Sequence, residues 1–123
     1  MKTQHADIKT YETKDGSLIR ELLHPSKDKI RNQSLAEATI PANTKTLLHL
    51  HRHSEEIYHI TSGRGLMTLA EKSFEVAPGD SICIPPGTPH CIKNRNNSPL
   101  VILCCCAPAY SHGDTELLEA IEE

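Results

Sequence analysis

The chain has no tryptophan, and its aromatic side chains are Tyr11, Tyr58, Phe74 and Tyr110 alone. So sparse a set leaves no platform on which successive nucleic-acid bases could stack. Charge of one sign is also lacking: 13 basic residues face 16 acidic ones, the net charge is −3, and no basic stripe runs along the chain to track phosphates. Nucleic acid is therefore not an expected partner. A membrane is not expected either. No apolar run approaches the roughly 18 residues a spanning helix needs, and the opening MKTQHADIKTYETKDG lacks the apolar stretch of a secretory signal. A cytoplasmic location is expected. Five cysteines, an odd total, disfavour a disulfide framework. Cys104, Cys105 and Cys106 are consecutive, and strand alternation sends Cys105 to the face opposite its neighbours, so the three do not converge on one ion. They extend the apolar run from Leu100 and read as packing residues, as do Cys83 and Cys91.

Short β-like runs separated by turn residues make up most of the chain, and no long amphipathic helical pattern interrupts them. The expected strands are Leu18–Leu22, Leu35–Ile40, Thr46–His51, Glu56–Thr61, Gly65–Leu69, Ser73–Val76, Ser81–Ile84, His90–Lys93 and Leu100–Cys105. Asn43, Ser62-Gly63, Pro78-Gly79, the segment Pro85–Pro89 and Asn94–Pro99 separate them. Many short strands imply a sandwich or barrel. After Pro108, the apolar residues Leu117, Leu118 and Ile121 with Asp114 as a cap predict a short C-terminal helix over Asp114–Ile121. The length of 123 residues suits one compact domain.

Two stretches stand out, HLHRHSEEIYHITSG from His49 and GDSICIPPGTPHCIKN from Gly79. In an extended strand, side chains two apart share a face, so His49 and His51 would project together. A turn through Arg52–Glu55 would reverse the chain and bring Glu56 to the same interior, one hairpin carrying three of the groups. His51 and His53 form a second pair of the same spacing, and Glu55 is a second carboxylate. His90 follows the stiff Pro-Pro-Gly-Thr-Pro turn, in which prolines fix φ and Gly87 is free to take positive φ. By strand parity, Tyr58 and Leu47 share the interior face and His59 points outward. His5, His24 and His112 read as ordinary surface or packing histidines.

The spacings His49-x-His51-x4-Glu56-x6-Gly63 and Gly79-x5-Pro85-x-Gly87-x2-His90-x3-Asn94 resemble the paired motifs of the cupin family. The usual opening glycine is replaced by Asn43, the non-glycine residue best suited to positive φ. The resemblance implies an all-β fold, a cupin-type jelly-roll β-barrel with the short helix appended. Its motif-bearing core would be about residues 35–106, with an N-terminal strand region 1–34 and a tail 107–123, in a single domain 1–123. It also implies one divalent metal held by His49, His51, Glu56 and His90, with His53 and Glu55 left to the loop, and a homodimer.

Three neutral imidazoles and one carboxylate would leave a divalent ion at a net charge of about +1, open to an anionic oxygen ligand, and suit Fe, Mn, Ni, Cu or Zn. The expected function is a metal-dependent enzyme on a small oxygen-rich metabolite, either a dioxygenase or an isomerase or lyase using the metal as Lewis acid. The alternative is a metal-containing binding or sensor domain without turnover. Tyr58 is the candidate catalytic donor. Tyr110, Ser111 and His112 would reach the ligand if the tail crosses the barrel mouth.

Overall fold

The computed structural model describes residues 1–120. Its strands, in chain order, are β1 (Tyr11–Glu12), β2 (Leu18–Leu23), β3 (Ser34–Ile40), β4 (Thr44–Lys45), β5 (His49–His51) and β6 (Glu55–Ser62). They continue with β7 (Gly65–Leu69), β8 (Lys72–Val76), β9 (Ser81–Ile84), β10 (His90–Asn94), β11 (Leu100–Ala107) and β12 (Thr115–Leu117). One sheet runs β1-β2-β3-β11-β6-β9 and the other β12-β5-β10-β7-β8, with β4 also paired to β10. This is the jelly-roll architecture that the alternating short runs imply.

Alternation builds the core. On β6, Glu56, Tyr58 and Ile60 are buried while Glu55 and Ile57 are exposed; on β11, Leu100, Ile102, Cys104 and Cys106 are buried. The paired register turns these into rungs across the first sheet. Ile60, Ile102 and Ala38 form one, Tyr58, Cys104 and Ala36 the next, and Glu56, Cys106 and Ser34 the last. Met67, Val76 and Ile92 close the core from the second sheet. Each fully buried aliphatic such as Ile60, Ile92 or Ile102 contributes about 1.5–3 kcal/mol. The rungs therefore grade from apolar at Ile60 to polar at Glu56, and small residues on β3 leave space beside the polar ones.

Two turns carry the backbone demands read from the sequence. Asn43 adopts φ 58°, the conformation expected at that position. Gly63 takes φ +81°, and a Cβ there would also collide with the Pro99 carbonyl oxygen.

Three expectations need correction. β5 and β6 are not a hairpin: β5 pairs with β10 and β12, whereas β6 pairs with β9 and β11, so the chain crosses between sheets at Arg52–Ser54. The expected strand Thr46–His51 is broken, because Thr46 and Leu47 turn to bond Ile92 and the Asp15 carbonyl. The tail from Asp114 to Ala120 is not a helix. Ser111 caps a single 3-10 turn, His112–Asp114, by accepting from the Gly113 amide, and β12 then adds to the open edge of β5. A helix of so few residues loses to an available strand edge, since helix nucleation is costly. Ile121, counted in the expected helix, lies outside the described residues.

Candidate metal centre

The register of the second sheet sets His90 directly opposite His49. Their ring centroids are 4.2 Å apart, and His51, two residues on along β5, is 5.2 Å from His49 and 5.4 Å from His90. All three side chains are buried, and one nitrogen from each lies within 4.8 Å of the other two.

Hydrogen bonds to the outer nitrogens aim the inner ones. Nδ1 of His49 donates to the Leu47 carbonyl at 2.6 Å, and Nδ1 of His90 to the Thr88 carbonyl at 2.9 Å. Carbonyls only accept, so each Nδ1 carries the proton. Nδ1 of His51 meets the Thr115 hydroxyl at 2.9 Å; that hydroxyl spends its own proton on the Ser111 carbonyl, so His51 donates too. In the neutral form the three Nε2 lone pairs consequently face inward, the tautomer in which metal-binding histidines are held. Burial, followed by the neighbouring His90, lowers the His49 imidazole and favours this neutral form.

Glu56 approaches from the opposite sheet. Its Oε1 lies 3.2 Å from Nε2 of His51 and 3.4 Å from Nε2 of His90, yet Glu56 Oε1 and His90 Nε2 are both buried without a hydrogen-bond partner. Oε2 accepts from the Cys106 thiol at 3.2 Å, its cross-strand neighbour. Burial alone pushes the Glu56 carboxyl up; where His51 and His90 carry a proton on Nε2, those donors outweigh burial and hold the carboxyl down at about 2. An ionised carboxylate facing imidazole lone pairs is the arrangement a divalent cation satisfies. A proton on one nitrogen would satisfy only one of these contacts.

A narrow cavity of about 40 Å³ opens beside these groups. Ser34, Ala36, Ala38, Cys104 and Cys106 wall it, and Tyr58 faces it from β6. Tyr58 sits with its ring 6.0 Å from that of His90. Burial, then the Glu56 charge, raises that phenol well above its ordinary range, so it remains a donor. Tyr110, from the tail, packs edge-on to His51 at 5.8 Å and lines the cavity; its hydroxyl bonds His112 at 2.8 Å. Tyr110 and Glu21 also border an outer groove of about 390 Å³ with Tyr11, His24, Lys27 and His112, and Thr13 and Asp15 border a second of about 370 Å³.

Other sequence expectations fall differently. His53 is exposed and bonds Asp114 at 2.7 Å, outside the cluster. His59 faces outward onto the Ser81 hydroxyl. Leu47 does not wall the cavity as strand parity implied; the break in its strand turns it to an outer groove beside Lys45 and Glu119. Cys83 is exposed rather than packed, whereas Cys104 and Cys106 are buried and burial raises both thiols.

Sequence reasoning missed three residues. Asp15, in the turn between β1 and β2, places Oδ2 3.5 Å from Nε2 of His49, while its Oδ1 accepts from Thr13 and Ser17. Glu21 on β2 faces the cavity, and Thr115 fixes His51. The Asp15-Gly16 pair carried only a turn signal, and nothing local marks the other two.

Fold and site together define a small β-barrel with a buried histidine cluster and a carboxylate beneath one mouth. Residues 36–106 match the family described as Cupin domain, and the chain belongs to that family. It is 62% identical over 119 residues to the uncharacterized protein MJ1618 of Methanocaldococcus jannaschii, covering 97% of this chain and 95% of that one. The polyketide cyclase RemF of Streptomyces resistomycificus superposes with a TM-score of 0.83 at 20% identity, over 99% of this chain and 87% of RemF. A predicted oxalate decarboxylase from Thermotoga maritima gives 0.77 at 22% identity, over 88% and 99%. At those identities the structural likeness is one of fold.

Proposed function

We propose that the protein is a metal-dependent enzyme acting on a small oxygen-rich metabolite, with His49, His51, Glu56 and His90 as ligands of one divalent ion. The observation that carries this reading is the pair of unpartnered buried atoms, Glu56 Oε1 and His90 Nε2, set among imidazoles whose outer nitrogens are all committed elsewhere. The mixed nitrogen and oxygen donors suit Fe, Mn, Ni, Cu or Zn and lack the thiolates of a closed structural zinc site. A bound ion supplies Lewis acidity, and iron adds the redox chemistry of a dioxygenase. The chain's own part is to exclude water with the Ala36–Ala38 and Cys104 walls and to offer the Tyr58 proton as a donor to a developing oxyanion. The fold neighbours RemF and the predicted oxalate decarboxylase support small oxygen-bearing substrates as a class.

The reading takes the whole chain as one cytoplasmic domain that pairs as a homodimer. The outer face of the first sheet supports the pairing, because Leu35, Cys105, Ile57 and Cys83 form one row there and Ile57 is 45% exposed. Light scattering of Ile57→Asp against wild type tests it, with a monomer expected from the variant.

Elemental analysis of untagged protein, purified without chelator, tests the site. We expect about one transition metal per chain in wild type and in His53→Ala, and none in His51→Ala. Metal loss in His53→Ala with retention in His51→Ala would overturn the ligand assignment. A protein empty of metal and refusing it on reconstitution would end the metalloenzyme reading. With metal present, turnover of a small oxygen-bearing compound supports the enzyme, and retention of a ligand without turnover supports the binding or sensor alternative.

A further inference from the structure

The rung Tyr58–Cys104–Ala36 extends one strand further, because Ala36 pairs with Glu21 on β2. The cavity is thus bounded at one end of this rung by a phenol and at the other by a carboxylate, with only Cys104 and Ala36 between. Oε1 of Glu21 accepts from the Tyr11 hydroxyl at 2.7 Å, but its Oε2 is buried and has no partner. This unmet acceptor belongs to no histidine contact, and a buried acceptor left unmet is costly. Asp15, Glu21 and Glu56 all line the cavity, and no lysine or arginine among the described residues does. A divalent ion leaves such a cavity near a net charge of about −1, removing the preference for an anionic ligand inferred from four ligands alone.

We propose that the cavity selects an uncharged, hydroxyl-bearing ligand, a polyol or sugar-like alcohol, one hydroxyl of which donates to Glu21 Oε2 while another accepts from Tyr58. Hydroxyl groups match both ends of the rung, because each carries both a proton and lone pairs. A carboxylate has no proton for Glu21 and is repelled by it, and an ammonium group has no lone pair for Tyr58. The cavity is narrow, so the head of the ligand fills it while its body occupies the outer groove that Glu21 and Tyr110 border. The inference rests on this cavity being the substrate site of the reading above.

Titration calorimetry of the zinc-reconstituted protein with erythritol, malonate and 1,4-diaminobutane tests the selection, with metal content measured on every sample. Erythritol is expected to bind at least tenfold more tightly than either charged compound. Glu21→Leu should weaken erythritol at least tenfold with the metal retained. Glu21→Gln keeps an acceptor and the side-chain shape; it should hold erythritol within about threefold while malonate gains. Malonate or the diamine binding best, no erythritol binding, or equal erythritol affinity in Glu21→Leu would each overturn the inference. Erythritol selection in a protein that takes up no metal would uphold it and remove the metal reading instead, so the two failures are distinct.

Discussion

The two ends of β10 place buried polar side chains in opposite situations. At Asn94 the amide nitrogen donates to the carbonyls of Ile40, Pro41 and Ser98, and its oxygen accepts from the Asn96 amide at 3.0 Å. At His90 the outer nitrogen is satisfied, while the inner one shares the unpartnered condition of Glu56 Oε1. Both residues are almost wholly buried, so burial does not separate them; saturation does. A buried polar residue that completes its own bonds is a structural plug, and one held in place with an atom left over is organised for something that arrives later. Among the histidines burial does the separating, because His53 and His59 also spend one ring nitrogen each but lie nearer the surface, where water can meet the other.

Substitution of the plug should produce the largest effect on folding. Asn94→Ala strands the Ile40 and Ser98 carbonyls and the Asn96 amide, and each buried group left unmet costs about 1–3 kcal/mol. A loss of about 3 kcal/mol in urea denaturation is expected, with metal content unchanged once folded. Metal loss from the folded variant would break the contrast between the ends. Next in size is Thr115→Val, which preserves shape but removes the acceptor of His51 Nδ1. Metal affinity should fall about 10- to 100-fold, as for other groups that orient a ligand, with little change in the stability of the metal-free chain. Equal losses in both would mark Thr115 as a packing residue only.

A smaller effect is expected at Cys106. Cys106→Ala deprives Glu56 Oε2 of its donor, and Cys106→Ser restores one, so affinity should drop severalfold in the first and recover in the second. Thiol labelling sharpens the same point: Cys83 is exposed and should react at once, whereas Cys104 and Cys106, buried and with raised thiols, should react only on unfolding. Prompt native labelling of Cys106 would show that the Glu56 end is open.

What the sequence made legible is what lies close along the chain. His49 and His51 share a face by strand parity, and the Pro85–Pro89 turn aims His90; both are local geometry. The grading of β6 and β11 into buried and exposed positions followed from alternation in the same way. The rest depends on strands meeting across the fold. Glu56 reaches the histidines from the other sheet rather than along a hairpin, a distinction that the spacing does not encode. Glu21, Asp15 and Thr115 come from segments whose partners are set only by sheet order. The tail misled for a physical reason, since Leu117 and Leu118 fit a helical stripe equally well until the open edge of β5 offers them a ladder.

That edge also yields the mildest expectation. The Asp114 carboxylate accepts from the amides of His53 and Ser54 and from the His53 ring, tying the crossing between the sheets to the tail. Burial alone would raise its carboxyl, but His53 and then the two amides outweigh it, so Asp114 lies below the ordinary carboxylate range. A carboxyl lowered on folding contributes stability that is present above the unfolded value and is lost as pH falls through the folded one. Asp114→Asn should therefore be less stable than wild type at neutral pH, by no more than about 1 kcal/mol so near the surface, and the gap should close in acid. Because Asp114 touches the crossing and not the inner face of the cluster, its metal affinity at pH 7 should fall less than that of Thr115→Val. Urea midpoints of both proteins from pH 7 down to pH 3 measure the gap; one that widens in acid would show that Asp114 holds the crossing as a neutral donor, not as a carboxylate.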